Sequence, residues 1–195
     1  MKKLVLSSLV LATVLTLVSC KQEVKTEQVA TEIEATTSDN TPTTVIDTAA
    51  AKQAIAKEKE ALAKPYNEEE DGDAKITELI AKAKAEGKNV FVQAGGNWCI
   101  WCLRFNDFVQ KNQDIKTVVD ANYVYYHLNY TAKHKNAKAF EKYAPEGQKL
   151  GYPFFIVING EGKTTNVISS GELEADKSYD VAKVKQMFVD NAPKK

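Results

Sequence analysis

The amino-acid sequence predicts an α/β fold, a three-layer sandwich in which helices flank a central mixed β-sheet. From residue 74 onward, segments with helical periodicity alternate with short apolar segments typical of strands. Only a tight turn separates the last two strand segments, which indicates a hairpin. Alternation places helices on both faces of the sheet, and the hairpin adds antiparallel pairing, so the predicted sheet is mixed.

Two helices come first in this order. Residues 51–64 (AKQAIAKEKEALAK) are strong helix formers with a thin apolar stripe, and the segment ends at Pro65, which predicts a peripheral helix. After an acidic turn, residues 74–86 repeat apolar side chains at helical spacing. Gly87 follows in the position where glycine commonly ends a helix.

Two cysteines lie between a predicted strand and a predicted helix. Residues 89–94 (NVFVQA) predict a short buried strand, and Gly95 and Gly96 a turn. The segment GGNWCIWCLRF then holds the cysteines, and residues 103–110 are apolar on one side, as in a packed helix. Residues 114–120 predict a short helical or turn segment.

The rest of the chain supplies three strands and two helices. Residues 123–130 (YVYYHLNY) are dense in strand formers, residues 154–159 (FFIVIN) are wholly apolar, and residues 164–169 return after the turn Gly160-Glu161-Gly162. Residues 133–143 predict a polar helix, and residues 179–191 a closing helix with an apolar face.

The first twenty residues, MKKLVLSSLVLATVLTLVSC, have the features of a signal peptide. Two lysines precede an apolar stretch of fifteen residues, which is shorter than the about 20 that a membrane span needs. An uncleaved anchor is the alternative. The end of this stretch, LVSC, resembles the lipobox of bacterial lipoproteins, and this resemblance implies that Cys20 carries lipid and begins the mature protein.

These features divide the chain into four parts. The signal peptide occupies residues 1–19, and residues 20–50 form a flexible tether, rich in Thr and Glu and without aromatic side chains, that cannot bury enough surface to fold. Residues 51–72 comprise the peripheral helix and the acidic turn. Residues 73–195 form the folded domain.

Charge and cysteine content restrict the possible functions. The chain has 26 basic and 26 acidic side chains, so no nucleic-acid partner is expected. With Cys20 assigned to lipid, Cys99 and Cys102 are the whole thiol content of an exported protein. A disulfide between residues three apart closes too small a loop to constrain the unfolded chain much. A redox role is therefore favoured over a stabilising one.

The predicted strand–turn–helix order gives the two cysteines different roles. Cys99 falls at the N-terminus of a helix, where unpaired N–H groups and the helix dipole favour its thiolate, the nucleophile of disulfide exchange. Cys102 lies one turn further on the same face, within a small adjustment of disulfide distance. It is expected to be the more shielded sulfur and to resolve a mixed disulfide.

The combination of these motifs resembles the thioredoxin family. Trp98, Cys99, Cys102, the Tyr152-Pro153 pair and the NGEGK turn occur in the family's order, over about residues 74–192. The resemblance implies a thioredoxin-like fold, with Pro153 in a cis bond facing the cysteines and shaping the groove that holds a partner's chain.

Two positions depart from the thioredoxin pattern. Ile100 and Trp101 replace the Gly-Pro of thioredoxins between the cysteines, so the working direction cannot be transferred. Gln93 stands six residues before Cys99, where thioredoxin has a buried acid, and an amide cannot exchange a proton at working pH. We expect slower resolution by Cys102, or participation of a water molecule.

The cysteine pair could also belong to a zinc site, a haem site or a structural disulfide. Zinc needs about four ligands, and only His127 and His134 could join the cysteines. Covalent haem needs a histidine directly after the second cysteine, where this chain has Leu103. A structural disulfide remains open. His127 is expected to be a packed or half-exposed strand residue and not a catalytic base. The tryptophans Trp98 and Trp101 either shield the site or contact a partner protein.

The resulting hypothesis is a membrane-tethered thiol-disulfide oxidoreductase that needs no cofactor and no metal. Cys99 and Cys102 are its catalytic residues, and Trp98, Trp101, Tyr152 and Pro153 its candidate substrate-binding residues. Its expected partners are protein thiols and disulfides and a membrane redox partner. It is expected to be lipid-anchored to a bacterial membrane and to face the periplasm. The alternatives are a binding module with a structural disulfide, docking through the surface around Trp101 and Tyr152, and delivery of copper or zinc.

Overall fold

The computed structural model of the protein describes residues 48–194, in which helices and strands alternate around one four-stranded sheet. The α-helices of this part are α1 (Thr48–Ala61), α2 (Gly72–Glu86), α3 (Ile100–Lys111), α4 (Gln113–Asn122), α5 (Ala137–Tyr143) and α6 (Val181–Asp190). The strands are β1 (Asn89–Gly95), β2 (Tyr123–Asn129), β3 (Phe154–Ile158), β4 (Thr164–Ser169), β5 (Glu174–Ala175) and β6 (Ser178–Tyr179). The predicted signal peptide, Cys20 and nearly all of the predicted tether lie outside the described residues. No helix within residues 48–194 is long and apolar enough to cross a membrane.

The sheet has the order β2-β1-β3-β4 and is mixed, as predicted. Strand β1 runs parallel to β2 and antiparallel to β3, and β3 pairs antiparallel with β4. The two central strands, β1 and β3, are buried along their whole length, which explains their wholly apolar or nearly apolar sequences. The predicted three-layer α/β architecture is confirmed.

Alternate residues of the central strands face two separate hydrophobic cores. On β1, Val90 and Val92 face the core under α2 and α5, whereas Phe91 faces the core under α3, α4 and α6. The same alternation on β3 sends Phe154 to the first core and Phe155 to the second. Strand periodicity thus directs alternate side chains to opposite faces of the sheet, and different helices cover the two faces.

Helix α2 has caps at both ends. The side chain of Asp71 accepts hydrogen bonds from the backbone N–H groups of Asp73 and Ala74 at 3.0 and 3.1 Å. Gly87 ends the helix in the left-handed conformation at φ 66°, as predicted, and its N–H reaches back to the last turn. These caps fix both ends of α2, and its buried apolar side chains pack it against β1.

Two helices begin later than predicted. The segment before α5 is a loop because Asn136 adopts a left-handed conformation at φ 47°. Its side chain accepts a hydrogen bond from Gly72 N–H at 2.9 Å and donates one to the carbonyl of Asn129 at 3.0 Å, so long-range contacts override the local helical pattern. Helix α6 begins after Asp180, whose side chain caps it, because Tyr179 belongs to the short β5–β6 hairpin.

Helix α1 is mostly exposed and is joined to α3 by one ion pair. Glu58 accepts two hydrogen bonds from the guanidinium of Arg104, both at 2.7 Å. Arg104 is 13% exposed at its side chain, whereas Glu58 is 40% exposed. The guanidinium holds the pKa of Glu58 below its ordinary value.

Glu58→Gln is expected to loosen α1 without unfolding the domain. The pair is partly solvated, so its loss should cost less than about 1 kcal/mol of global stability. Proteolysis within residues 48–61 should nevertheless become several-fold faster, because α1 would lose its side-chain anchor. The matched control is Glu60→Gln, two residues along the same helix and exposed. Equal cleavage rates for the two variants would contradict a role for the ion pair in docking α1.

Candidate active site

Cys99 is the N-cap residue of α3, directly after the turn that follows β1. The backbone N–H of Cys102 donates to Cys99 Sγ at 3.1 Å, and the N–H of Cys99 donates to the carbonyl of Gly96 at 3.0 Å. The first sulfur therefore lies where free N–H groups and the helix dipole stabilise a negative charge, as the sequence predicted.

The two cysteines form a disulfide, with their Cα atoms 5.3 Å apart. Cys99 is 7% exposed and Cys102 is 0% exposed. The more accessible sulfur is thus the one at the helix N-terminus, and the sulfur one turn deeper is shielded. This order agrees with the expectation that Cys102 is the more protected of the two.

The loop before β3 brings Tyr152 and Pro153 to the disulfide. The Tyr152-Pro153 peptide bond is cis, and the carbonyl oxygen of Tyr152 lies 3.6 Å from Cys99 Sγ. Pro153 is buried between this carbonyl and strand β3. The expected placement of the X-Pro pair opposite the cysteines is found in the structure.

An aromatic surface lies beside Cys99. Trp98 is 46% exposed, and its indole N–H donates to the carbonyl of Tyr130 at 2.6 Å. Its ring meets Tyr152 edge-on at a centroid distance of 5.5 Å, and Tyr152 stacks on Tyr130 at 5.3 Å. These three rings, Trp98, Tyr130 and Tyr152, are called the aromatic surface below.

Trp101 occupies a different environment from Trp98. The Arg104 guanidinium lies over its ring at 4.9 Å from the centroid, and Tyr179 meets the ring edge-on at 5.7 Å. The hydroxyl of Tyr179 also donates to the carbonyl of Trp101 at 3.0 Å. Trp101 is half-buried by these neighbours and also packs against the cysteine pair.

Behind Cys102 lies a buried polar network centred on Gln93. Its amide nitrogen donates to the carbonyl of Cys102 at 2.8 Å and to the hydroxyl of Tyr66 at 2.7 Å. Its amide oxygen accepts from the hydroxyl of Tyr125 at 2.6 Å. Burial raises the pKa of both Tyr66 and Tyr125 well above the ordinary tyrosine value, so this network is uncharged at neutral pH.

Tyr66 was not identified from the sequence. It lies between α1 and α2 and is 3% exposed, in contact with the cysteine pair. The available signal was weak: one aromatic residue in the acidic stretch PYNEEEDGD, which reads as a solvated loop. An isolated aromatic side chain in such a stretch is a candidate for long-range packing.

In the described part of the chain, the two histidines do not form a metal site with the cysteines. His127 packs against the rings of Tyr66 and Tyr125, with a centroid distance of 5.1 Å to each. Burial lowers the pKa of His127 to about 4. His134 lies in the loop before α5, with its ring 3.2 Å from the Asn136 side chain. Within residues 48–194, no group of three or more His, Cys, Asp or Glu side chains could hold a metal ion.

Comparison with known proteins identifies the fold. A family model described as thioredoxin-like matches residues 73–160. The structure of a disulphide isomerase from Xylella fastidiosa Temecula1 is 21% identical, with a TM-score of 0.58, and the match covers 66% of this chain and 97% of that one. The chain is therefore a thioredoxin-fold protein.

Further solved structures resemble the chain less closely. The oxidised C-terminal domain of DsbD from Neisseria meningitidis is 15% identical, with a TM-score of 0.46, and the match covers 61% of this chain and 94% of that one. A structure described as DsbH oxidoreductase is 16% identical, with a TM-score of 0.43 and coverage of 57% and 77%. No curated protein matches the chain.

Proposed function

We propose that the protein is a membrane-tethered thiol-disulfide oxidoreductase that exchanges disulfides with exported proteins. The observation that carries this proposal is the asymmetry of the pair: Cys99 caps α3 and accepts the Cys102 N–H, whereas Cys102 is fully enclosed. The helix N-terminus stabilises a thiolate at Cys99, which is the sulfur that a partner can approach. Such an arrangement suits reversible exchange better than permanent cross-linking.

In the reducing direction, the Cys99 thiolate attacks one sulfur of a substrate disulfide. A Cys99–substrate disulfide forms, and the second substrate sulfur leaves as a thiolate with the bonding electron pair. The Cys102 thiolate then attacks Cys99, the Cys99–Cys102 disulfide forms, and the first substrate sulfur leaves with its electron pair. The protein is oxidised by two electrons and the substrate is reduced by two. The reverse sequence oxidises a substrate dithiol.

The surroundings of Cys99 suit an extended peptide as substrate. The Tyr152 carbonyl lies 3.6 Å from the accessible sulfur, and the neighbouring Trp98 ring is 46% exposed. We assign substrate contact to Trp98, Trp101, Tyr152 and Pro153, of which Trp101 and Tyr152 pack against the cysteine cluster. The lipid on Cys20, the periplasmic location and a membrane redox partner remain part of the proposal and rest on the leader sequence.

A binding module with a permanent disulfide is the second candidate. Its supporting observation is the low exposure of Cys99, which leaves little sulfur surface for attack. In that case the aromatic surface would dock a partner while the disulfide only fixed the loop.

Equilibration against graded mixtures of reduced and oxidised glutathione separates these candidates. A reversible transition is expected, with a potential above about −300 mV, because structural disulfides lie below that value. The Cys99 thiol should have a pKa below the usual value of about 8.5. A variant with Ser at both positions provides the baseline. A disulfide that resists the whole gradient, with no exchange with protein disulfides, would exclude the oxidoreductase.

A further inference from the structure

The hydroxyl of Tyr66 and the sulfur of Cys102 converge on one small space beside Gly95. A Cβ atom built on Gly95 would lie 2.5 Å from Cys102 Sγ and 2.8 Å from Tyr66 Oη. Only the missing side chain of this glycine leaves room for both polar atoms. The space beside Cys102 Sγ is thus bordered by a phenol.

The direction of the hydrogen bonds leaves the Tyr66 proton available. The carbonyl of Cys102 can only accept, so the Gln93 atom that faces it at 2.8 Å must be the amide nitrogen. The same nitrogen donates to Tyr66 Oη at 2.7 Å, so this oxygen acts as an acceptor there. Its own O–H donates to no oxygen or nitrogen atom among the described residues, and Cys102 Sγ borders the same space beside Gly95.

Tyr66 is held in this position by its backbone and its ring. The Asn97 side chain donates to the carbonyl of Tyr66 at 2.9 Å and accepts from its N–H at 3.2 Å. The ring meets His127 edge-on at 5.1 Å. Asn97 belongs to the turn that leads into Cys99, so the segment carrying Tyr66, which precedes the matched residues 73–160, is fixed to the cysteine turn itself.

We propose that the Tyr66 hydroxyl donates a hydrogen bond to the Cys102 thiolate whenever the Cys99–Cys102 disulfide is open. This inference rests on the proposed exchange function. A disulfide sulfur is a weak acceptor, whereas a thiolate is a strong one, so the bond forms mainly in the reduced and transition states. It stabilises Cys102 as the nucleophile that resolves a mixed disulfide and as the leaving group in the reverse step.

Tyr66 keeps its proton throughout this cycle. The electron pair moves between sulfurs only, and the Cys102 proton is released to solvent before attack. Because burial holds the pKa of Tyr66 well above its ordinary value, the phenol is a donor at every working pH. Gln93 replaces the buried acid of thioredoxins in this chain. The Cys102 sulfur is then stabilised by the neutral dipole of a phenol instead of a titrating carboxyl group.

The titratable side chains around this hydroxyl are uncharged at neutral pH. Tyr125 bonds to Gln93, which in turn bonds to this hydroxyl, and His127 packs on the Tyr66 ring with a pKa of about 4. Tyr179 donates to the carbonyl of Trp101, and burial raises its pKa above the ordinary tyrosine value. A change in the Cys102 pKa between pH 6 and 9 therefore reports on the Tyr66 hydroxyl and not on a neighbouring charge.

The test measures the Cys102 pKa directly. In a Cys20→Ser/Cys99→Ser background, the carbon-13 shift of the Cys102 Cβ is followed against pH, with and without Tyr66→Phe. In Tyr66→Phe, loss of a hydrogen bond to the charged sulfur should raise the Cys102 pKa by about 1 or more. At a pH below this pKa, the thiolate fraction should then be about tenfold smaller. Resolution, measured in chains that retain Cys99, should slow only about three- to fourfold, because the more basic thiolate is also more nucleophilic.

Tyr123→Phe is the matched control. Tyr123 is also buried, and its hydroxyl donates to the carbonyl of Phe188 at 2.6 Å. This bond lies in the core under α3, α4 and α6, far from the cysteines. It should leave the Cys102 pKa unchanged. An unchanged pKa in Tyr66→Phe, or equal shifts in both variants, would overturn the inference.

A second measurement needs no variant at Tyr66. In the same background above the Cys102 pKa, a slowly exchanging Tyr66 hydroxyl proton should show a cross-peak to the Cys102 Cβ protons. Its absence would also overturn the inference. Failure of the exchange function is recognised separately, since the full chain would then not exchange with protein disulfides even if both Tyr66 results were positive.

Discussion

Cys102→Ser is expected to convert the protein into a trap that accumulates covalent mixed disulfides with its substrates. Cys99 would still attack, because its N-cap position and the N–H of residue 102, at 3.1 Å, do not depend on the second sulfur. The mixed disulfide would then have no internal thiol to resolve it. Turnover should fall to the rate set by external thiols.

The size of this effect follows from the intramolecular nature of resolution. Well-oriented groups within one molecule reach effective concentrations of about 10⁵ M or more. Millimolar thiols in solution cannot replace a sulfur held one helical turn away, so complexes should persist for the length of the experiment. They are measured by acid quenching, alkylation and non-reducing electrophoresis after mixing with extracts of exported proteins.

Cys99→Ser is the matched control for the trap. Cys102 is 0% exposed, so it should not start an attack on a folded partner, and no complexes should form. Cys20 is replaced by Ser in every variant so that a third thiol cannot contribute. Equal trapping by both single variants would contradict the assigned roles. No trapping by either would favour the binding module with a permanent disulfide.

The parts of the fold that could be predicted are those fixed by local pattern. The apolar runs of β1 and β3 need burial on both faces, and this alone places them at the centre of a sheet. The alternation of Val90, Phe91 and Val92 then assigns helices to both sides. The position of Cys99 at a helix N-terminus could likewise be predicted, because a strand, two glycines and a helical pattern follow one another along the chain.

The parts that could not be predicted depend on long-range contacts. The loop before α5 is fixed by Asn136, which bonds to Gly72 and to Asn129, 64 and 7 residues away. Tyr66 reaches the cysteines from a stretch whose composition indicates solvent. No local periodicity encodes such contacts, and the different environments of Trp98 and Trp101 likewise depend on Tyr152 and Arg104.

Phe91→Ala is expected to cause a large loss of stability, because its ring is fully buried in the core. The centroid of this ring lies 4.7 Å from that of Phe188 in α6, 5.3 Å from that of Phe155 in β3 and 5.2 Å from that of Tyr125 in β2. One side chain thus joins two neighbouring strands to a helix of the outer layer. Removing it leaves a cavity among rings that cannot close on it without moving α6.

The expected cost of Phe91→Ala is about 3–5 kcal/mol, from lost transfer free energy and the cavity together. A domain of this size has a total stability of about 5–15 kcal/mol, so the variant should unfold at a much lower urea concentration with a similar m-value. Val189→Ala on α6, 48% exposed, is the control and should change stability by less than about 0.5 kcal/mol. A loss below about 1 kcal/mol for Phe91→Ala would mean that this core repacks, and that α6 is not fixed to the sheet by the Phe91 ring.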